Sequence, residues 1–364
     1  MTEFRDPVSG VLVRQMTSGA WISHPTYFLQ SSFTPDGERI LFTSYETGNP
    51  QLCAIRYATG EIERLTSGAP IHPYSPAIRD NRVFFVRGGE IWVYSLDSHA
   101  ERRIVAFDGQ LGEVSPDASG EWLVAAAKTS DGTGLVCGRG DGSAWNFIPF
   151  PRTVIHPQFH PLEPGWIEFA GDPAPRMYRV RRDGVGMECL YQHGNDEFVV
   201  HETFLGRTGD LVFTVWPHKL CRMDWTTREI RTITHFNAWH ITPNRAGTQV
   251  LCDTNHPDTG LWLIDVATGA RRFLCASGSG NQGTQWRKST YALKEDFLAA
   301  QKGNLSWMET PADSVYGPQY THPHPAFSND ERFVTFTSDR VTPSNPAGYP
   351  QVYVAELPAT GLVS

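Results

Sequence analysis

The chain has 364 residues, of which 40% are hydrophobic and 12% aromatic, enough for a sizeable packed core. Its formal net charge is −8 and no Lys/Arg run interrupts it, so it lacks the basic face that phosphate binding requires, and nucleic acid is excluded as the expected partner. No apolar stretch approaches the roughly 18 residues of a membrane-spanning helix, and Met1–Asp6 carries no apolar region of a signal peptide.

The first β-segment, Val11-Leu12-Val13-Arg14-Gln15-Met16, stands alone before any repeat. A unit then opens at Phe33-Thr34-Pro35-Asp36-Gly37 and continues through the strands Arg39–Thr43, Gln51–Ile55 and, after the turn Thr59-Gly60, Ile62–Leu65. Similar units start near Ser75, Glu113, Phe159, Phe204 and Ile241. The last begins at Phe327-Ser328-Asn329-Asp330-Glu331 and runs through Phe333–Ser338 and Gln351–Ala355. Roughly 40 residues per β-rich, turn-punctuated unit is the spacing of a propeller blade. Seven units predict an all-β, seven-bladed β-propeller in which residues 1–364 form a single domain. A β-sandwich would use fewer. The last unit offers only three strands, so the orphan segment near Val11–Met16 is predicted to supply the fourth and close the ring. The rhythm breaks between about 278 and 318, where an insertion contains the helix-like stretch 289–300; loops of this length are commonly lids or binding loops. The six cysteines are scattered without a CxxC pair, as expected of reduced strand residues in a cytoplasmic protein.

In a propeller the innermost strand of each blade lines a central channel, and residues just before that strand gather at one mouth. Aligning the units places Gln30, His72, His156, His201, His240 and His324 there, although the whole chain has only 13 histidines. For His72 or His156 alone, a water-bridged funnel residue is the ordinary explanation. The cluster Gln319-Tyr320-Thr321-His322-Pro323-His324 is denser. Histidine is the commonest metal ligand, and an extended H-x-H segment directs both imidazoles to the same side. Gln319 offers an amide oxygen, and His240 arrives from the preceding blade. Three imidazoles and one oxygen make a mononuclear site with an open position, for which zinc, manganese, iron and nickel all qualify.

The string Thr321-His322-Pro323-His324-Pro325-Ala326-Phe327, with Phe336-Thr337-Ser338-Asp339 after it, resembles the C-terminal blade of the oligogalacturonate lyase family, which are seven-bladed propeller polysaccharide lyases. The resemblance extends over nearly the whole chain, including Phe33–Gly37 and Thr59-Gly60-Glu61-Ile62. The proline-aspartate-glycine turns are common to many propellers, whereas Q-x-x-H-P-H-P is much more specific. The resemblance implies a divalent metal, manganese by preference, held by His240, Gln319, His322 and His324. It also implies a catalytic histidine at His201, in His201-Glu202, and a catalytic arginine at Arg176, ahead of Asp183-Gly184. Two departures stand out. His201-Glu202-Thr203-Phe204 replaces an aromatic-rich HEFW segment, and Phe169-Ala170-Gly171-Asp172-Pro173 replaces a His-Glu-Gly element, which leaves the exact uronate and linkage open.

The reaction that the resemblance implies is β-elimination of an acidic oligosaccharide in the cytoplasm, giving 4,5-unsaturated uronate products. The C5 proton beside an ionised carboxylate is only weakly acidic, so the carboxylate must be neutralised, by a metal acting as Lewis acid or by paired guanidinium donors. His201 suits the base, and Arg176 would orient the substrate or stabilise developing charge. His256, in Thr254-Asn255-His256-Pro257-Asp258, reads first as a turn residue and second as a sugar contact. Gln285 and Trp286 in the insertion are candidate substrate contacts, Trp286 by stacking on a sugar face. Two rival readings remain: a non-catalytic propeller that binds protein or peptide, and a metal-dependent propeller enzyme for a different uronic acid. The first accounts for the turns but not for the histidine and glutamine cluster. The absence of G-x-S-x-G argues against a serine peptidase.

Overall fold

The computed structural model describes residues 1–194, 196–255, 257–280 and 321–358. Among them the chain forms seven antiparallel sheets, six of four strands and one of five, arranged as the blades of a β-propeller. The inner strands are Ser23–Pro25, Ala77–Arg79, Gly109–Pro116, Thr153–Phe159, Phe198–Phe204, Ala238–Pro243 and Ala326–Phe327, in blades 1 to 7. No helix of the described residues is long and apolar enough to cross a membrane. The predicted insertion, with its helix-like stretch, lies almost wholly outside the described residues.

A blade is covered on both faces by its neighbours, so its middle strands are buried continuously rather than on alternate residues. Leu211–Trp216 is buried at every position, whereas the outermost strand of blade 1, Ile62–Arg64, is exposed throughout. The apolar core is divided accordingly: each of the seven blade interfaces has its own cluster. Leu41 and Leu52 meet Val83 and Phe85 between blades 1 and 2, and Leu251 and Leu263 meet Val334 and Phe336 between blades 6 and 7. Between blades 7 and 1, Val352 and Val354 pack on Ile40 and Phe42.

The ring closes as predicted, with one addition. Leu12–Gln15 pairs antiparallel with Gln351–Glu356, matching Val13 to Ala355, Arg14 to Val354 and Gln15 to Tyr353. A further strand, Thr2–Arg5, then adds to its outer edge and makes blade 7 five-stranded. Joining both termini in one sheet removes the open edges that a broken ring would leave.

Four inner strands carry a β-bulge at the same height. In blades 3, 4, 5 and 6 two residues stand opposite one on the neighbouring strand: Gly112-Glu113 opposite Ala126, His156-Pro157 opposite Phe169, His201-Glu202 opposite Phe213, and Trp239-His240 opposite Asp253. Bulges of this kind re-aim side chains. His156 and His201 both have φ of 56°, and His324, just before the inner strand of blade 7, has φ of 47°. The left-handed region is uncommon for residues with a Cβ, though histidine is among those enriched there, and such strain clusters at functional sites.

Candidate active site

The bulges of blades 4, 5 and 6, with the His-Pro-His segment ahead of the inner strand of blade 7, bring five imidazoles into one buried group at a mouth of the channel. Ring centroids of His240 lie 3.9 Å from His324, 5.3 Å from His322 and 4.7 Å from His201, and His201 lies 6.3 Å from His156. All five are nine-tenths buried or more. The potential ligand nitrogens of His240, His322 and His324 fall within 4.8 Å of one another, close enough to share one cation.

Two structural details prepare this trio. Asp253 accepts from the His240 backbone N–H at one carboxylate oxygen and lies 2.7 Å from His240 Nδ1 at the other. With the proton at Nδ1, Nε2 is left as the ligand atom, the arrangement typical of metal-binding histidines. The His-Pro-His segment is pinned from both sides: Thr337 N–H donates to the Pro323 carbonyl (2.8 Å), and Thr242 Oγ1 donates to Pro325 O (2.7 Å). Burial holds His240 and His324 well below the ordinary histidine value, and the neighbouring imidazoles add to this. Neutral imidazole is the state that binds a metal, so the donor set fits a divalent cation. Gln319, the predicted fourth ligand, lies outside the described residues, as do His256, Gln285 and Trp286.

His201 lies beside this trio and not within it. Its ring meets His240 on one side and the edge of Trp239 on another, at 4.5 Å. Burial first, then His156 and Arg176, hold it neutral. The alignment that equated His201 with His240 needs correcting by one residue: His201 and His156 occupy the first position of their bulges, whereas His240 occupies the second, where the other blades place Glu113, Pro157 and Glu202. These histidines also sit inside their inner strands rather than ahead of them. Gln30 is corrected more substantially. It lines a cavity of about 210 Å³ at the opposite end of the channel, with Ser115, Gln158 and Thr203, because it comes after its inner strand instead of preceding it.

Arg176, between the second and third strands of blade 4, is brought to the same region. Its guanidinium donates to Asp172 Oδ1 at 2.6 Å and to Glu202 Oε1 at 3.3 Å, while its backbone N–H donates to His193 Nε2. Burial alone would lower the arginine's pKa, but Asp172 and Glu202 outweigh it and raise it. Arg176 is therefore a fixed cation, already partly balanced, with Nε uncommitted. Glu202 is fully buried and has its own pKa raised by burial.

Sequence reasoning missed the floor of the site. Tyr27-Phe28, in the loop after the inner strand of blade 1, reaches the channel axis. The fully buried Phe28 ring stacks on His324 (5.7 Å, 11°), meets His201 edge-on (5.4 Å, 89°) and lies 5.2 Å from His240. Tyr27 Oη is 2.9 Å from His156 Nε2. An apolar plug thus separates the histidine mouth from the cavity below. The only sequence signal was two consecutive aromatics in a segment too polar at its ends to be a strand. Asp253 was equally hidden, although it occupies the place that Phe213, Phe169 and Ala126 take in other blades.

No family model matches the chain. The oligogalacturonate lyase of Dickeya dadantii (strain 3937) is 22% identical over 404 residues, covering 98% of this chain and 95% of that protein. The oligogalacturonide lyase of Pectobacterium atrosepticum is 21% identical over 407 residues, with the same coverages. Among solved structures, an oligogalacturonate lyase in complex with manganese superposes with a TM-score of 0.78 at 19% identity, covering 98% of this chain and 96% of the other. The oligogalacturonate lyase of Vibrio parahaemolyticus gives 0.76 at 19% identity, covering 98% and 97%. The resemblance to oligogalacturonate lyases read from the sequence holds over 98% of the chain, and the superpositions support the seven-bladed fold.

Proposed function

We propose that the protein is a metal-dependent lyase that cleaves short, oligogalacturonate-like uronate chains by β-elimination. The observation that carries this reading is the convergence of His240, His322 and His324 at the channel mouth with a fourth neutral imidazole, His201, against them. His240, His322 and His324, joined by Gln319 on the resemblance, would hold the cation, whose chemistry there is Lewis-acid neutralisation of the uronate carboxylate. Manganese is favoured by the solved relative that contains it. A protein of charge −8 needs such local positive charge to receive an acidic sugar.

His201 takes the C5 proton. Its neutral state leaves a nitrogen lone pair available, and an incoming carboxylate raises its proton affinity just as the proton must be accepted. As the C5–H bond breaks, its electron pair forms the C4–C5 double bond and the C4–O bond breaks, the departing oxygen taking a proton from solvent. Arg176, anchored by Asp172 and Glu202, keeps a positive charge behind this reaction centre as negative charge develops. Phe28 closes the channel beneath the site and excludes water from below.

Purified protein supplied with manganese should convert oligogalacturonate to a product absorbing in the ultraviolet as a 4,5-unsaturated uronate. Chelator should abolish this, as should the double change His322→Ala/His324→Ala, with loss of bound metal. New reducing ends without the absorbance would point to a hydrolase, and turnover undiminished by chelator would remove the metal from the reaction.

A further inference from the structure

We infer that a cleft between blades 5 and 6, at the same mouth as the histidine group, is a binding site for a further carboxylated sugar of the substrate chain. This inference rests on the lyase reading above and names where a unit beyond the two that flank the cleaved bond is held. The cleft encloses about 450 Å³, within the roughly 300–1,000 Å³ of small-ligand sites. Its walls come from three loops that all open on this mouth: Pro217-His218 of blade 5, His235–Asn237 between the blades, and Thr254 with Pro257 and Thr259 of blade 6.

Position is the first argument. Asn237 at the base of the cleft is three residues from His240 along the chain, and the intervening segment is the start of the inner strand of blade 6. At about 3.3 Å per extended residue, and less where the bulge at Trp239-His240 interrupts the strand, the separation is at most roughly 10 Å, within the reach of a short oligosaccharide.

Charge is the second. Among the described residues none that lines the cleft is acidic, in a protein whose net charge is −8. His218 and His235 are both exposed on its rim and offer ring N–H donors. Arg271 stands behind them: Nη1 donates to the His235 carbonyl (3.4 Å), and the guanidinium lies 4.8 Å from the centre of the Phe236 ring. The result is a set of ring N–H donors with one guanidinium behind them, suited to a carboxylate.

The base of the cleft, finally, is rigid. Asn237 Oδ1 accepts from Trp216 Nε1 (2.6 Å) and its amide donates to Asn255 O (2.6 Å), so Asn237 is a wall and not a movable ligand. Thr259 N–H donates to Thr254 Oγ1 (2.6 Å), and Trp262 Nε1 donates to Thr259 Oγ1 (3.0 Å). Half-buried Phe236, held edge-on against Trp262, adds an apolar surface beside the donors. Donors above a rigid, partly aromatic base are what a sugar with one carboxylate and one apolar face requires.

The test uses the full chain with manganese and compares His218→Ala/His235→Ala with wild type on digalacturonate and trigalacturonate, by calorimetry and by turnover. Both side chains are exposed, so the variant should melt like wild type. Trigalacturonate affinity should fall about tenfold, digalacturonate affinity less, and kcat should stay near wild type. The change His218→Gln/His235→Gln, which keeps a donor at each place, should restore most of the lost affinity. Unchanged affinity at both lengths, an equal loss at both, or a fall in kcat with affinity retained would overturn the assignment. If wild type neither binds nor cleaves either oligomer, the lyase reading itself fails and the cleft assignment fails with it. If wild type cleaves both and the alanine variant matches it on both, the cleft assignment alone is lost.

Discussion

Replacing Asp253 by Asn should disable the metal site without touching a ligand. Asp253 is fully buried, and its two oxygens face the His240 backbone N–H and Nδ1, each at 2.7 Å; burial raises its carboxyl above the usual range, and backbone hydrogen bonds from His240 and His324 oppose that rise. An amide of the same shape has one acceptor and one donor end. If its oxygen stays on the backbone N–H, its NH₂ faces Nδ1, which must then accept, and the imidazole proton moves to Nε2, the atom the cation needs. If the amide turns round, donor faces donor at the backbone, leaving a buried N–H unpaired at a cost of about 1–3 kcal/mol. The first outcome agrees with the roughly 10–100-fold loss of affinity typical when an outer partner of a metal-bound histidine is removed, whereas the second keeps the tautomer and shows as lost stability. Manganese titration of chelator-stripped Asp253→Asn by calorimetry, with thermal melting in parallel, measures it. A variant that melts normally and binds manganese within about threefold of wild type would refute the role given to Asp253, since about 1.4 kcal/mol corresponds to tenfold.

Deleting residues 1–17 should unfold the protein or lower its melting temperature sharply. Val11, Val13 and Met16 are buried and together contribute about 4–9 kcal/mol, comparable with the ~5–15 kcal/mol of a whole domain; a truncated chain that melts like the full one would contradict ring closure. His201→Ala should keep its manganese and its affinity for substrate while losing about 10²–10⁴-fold in turnover, and near-normal turnover with metal bound would return His201 to a structural role. Acid should destabilise the fold, as measured by urea unfolding at successive pH values. Burial lowers His24 to about 4 and His156 to about 3, so the unfolded chain binds more protons below an ordinary value of 6.5, and the stability present above 6.5 drains away as pH falls toward 4. His24 alone withdraws about 3 kcal/mol across that window, and a flat profile between pH 7 and pH 4.5 would contradict its neutral burial.

What the sequence disclosed was whatever repeats. Turn chemistry at Phe33–Gly37 and its later counterparts, with strands between, sufficed for seven blades, and a three-strand last unit sufficed to assign Val11–Met16 to closure. Thr2–Arg5 escaped because it is short, polar and exposed, and acquires strand geometry only by lying beside Leu12–Gln15. The histidines were legible because a residue this scarce recurring at one phase of a repeat is informative. Their register was legible only to within one residue, because a bulge inserts an unpaired position that no hydrophobic pattern marks. Tyr27 and Phe28 were invisible for a different reason: their role depends on the loop of blade 1 crossing to the channel axis, a path set by tertiary packing, where Thr242 Oγ1 of blade 6 lies 3.0 Å from the Phe28 carbonyl.

The same bulge explains how a repeat built for packing yields chemistry. In an unbroken inner strand, successive side chains alternate between the two faces, both of which are occupied by neighbouring blades, so a polar residue there would be buried without purpose. The extra residue breaks that alternation and turns a side chain toward the axis. What the blade then supplies depends on the residue opposite. Phe169 and Phe213, opposite the bulges of blades 4 and 5, leave His156 and His201 without a carboxylate partner at that position, and His201 is free to exchange a proton. Asp253, opposite the bulge of blade 6, lies 2.7 Å from His240 Nδ1 and, on the proposed reading, leaves Nε2 for the cation. On the proposed reading, base and ligand are distinguished less by the histidines themselves than by one position on the adjacent strand.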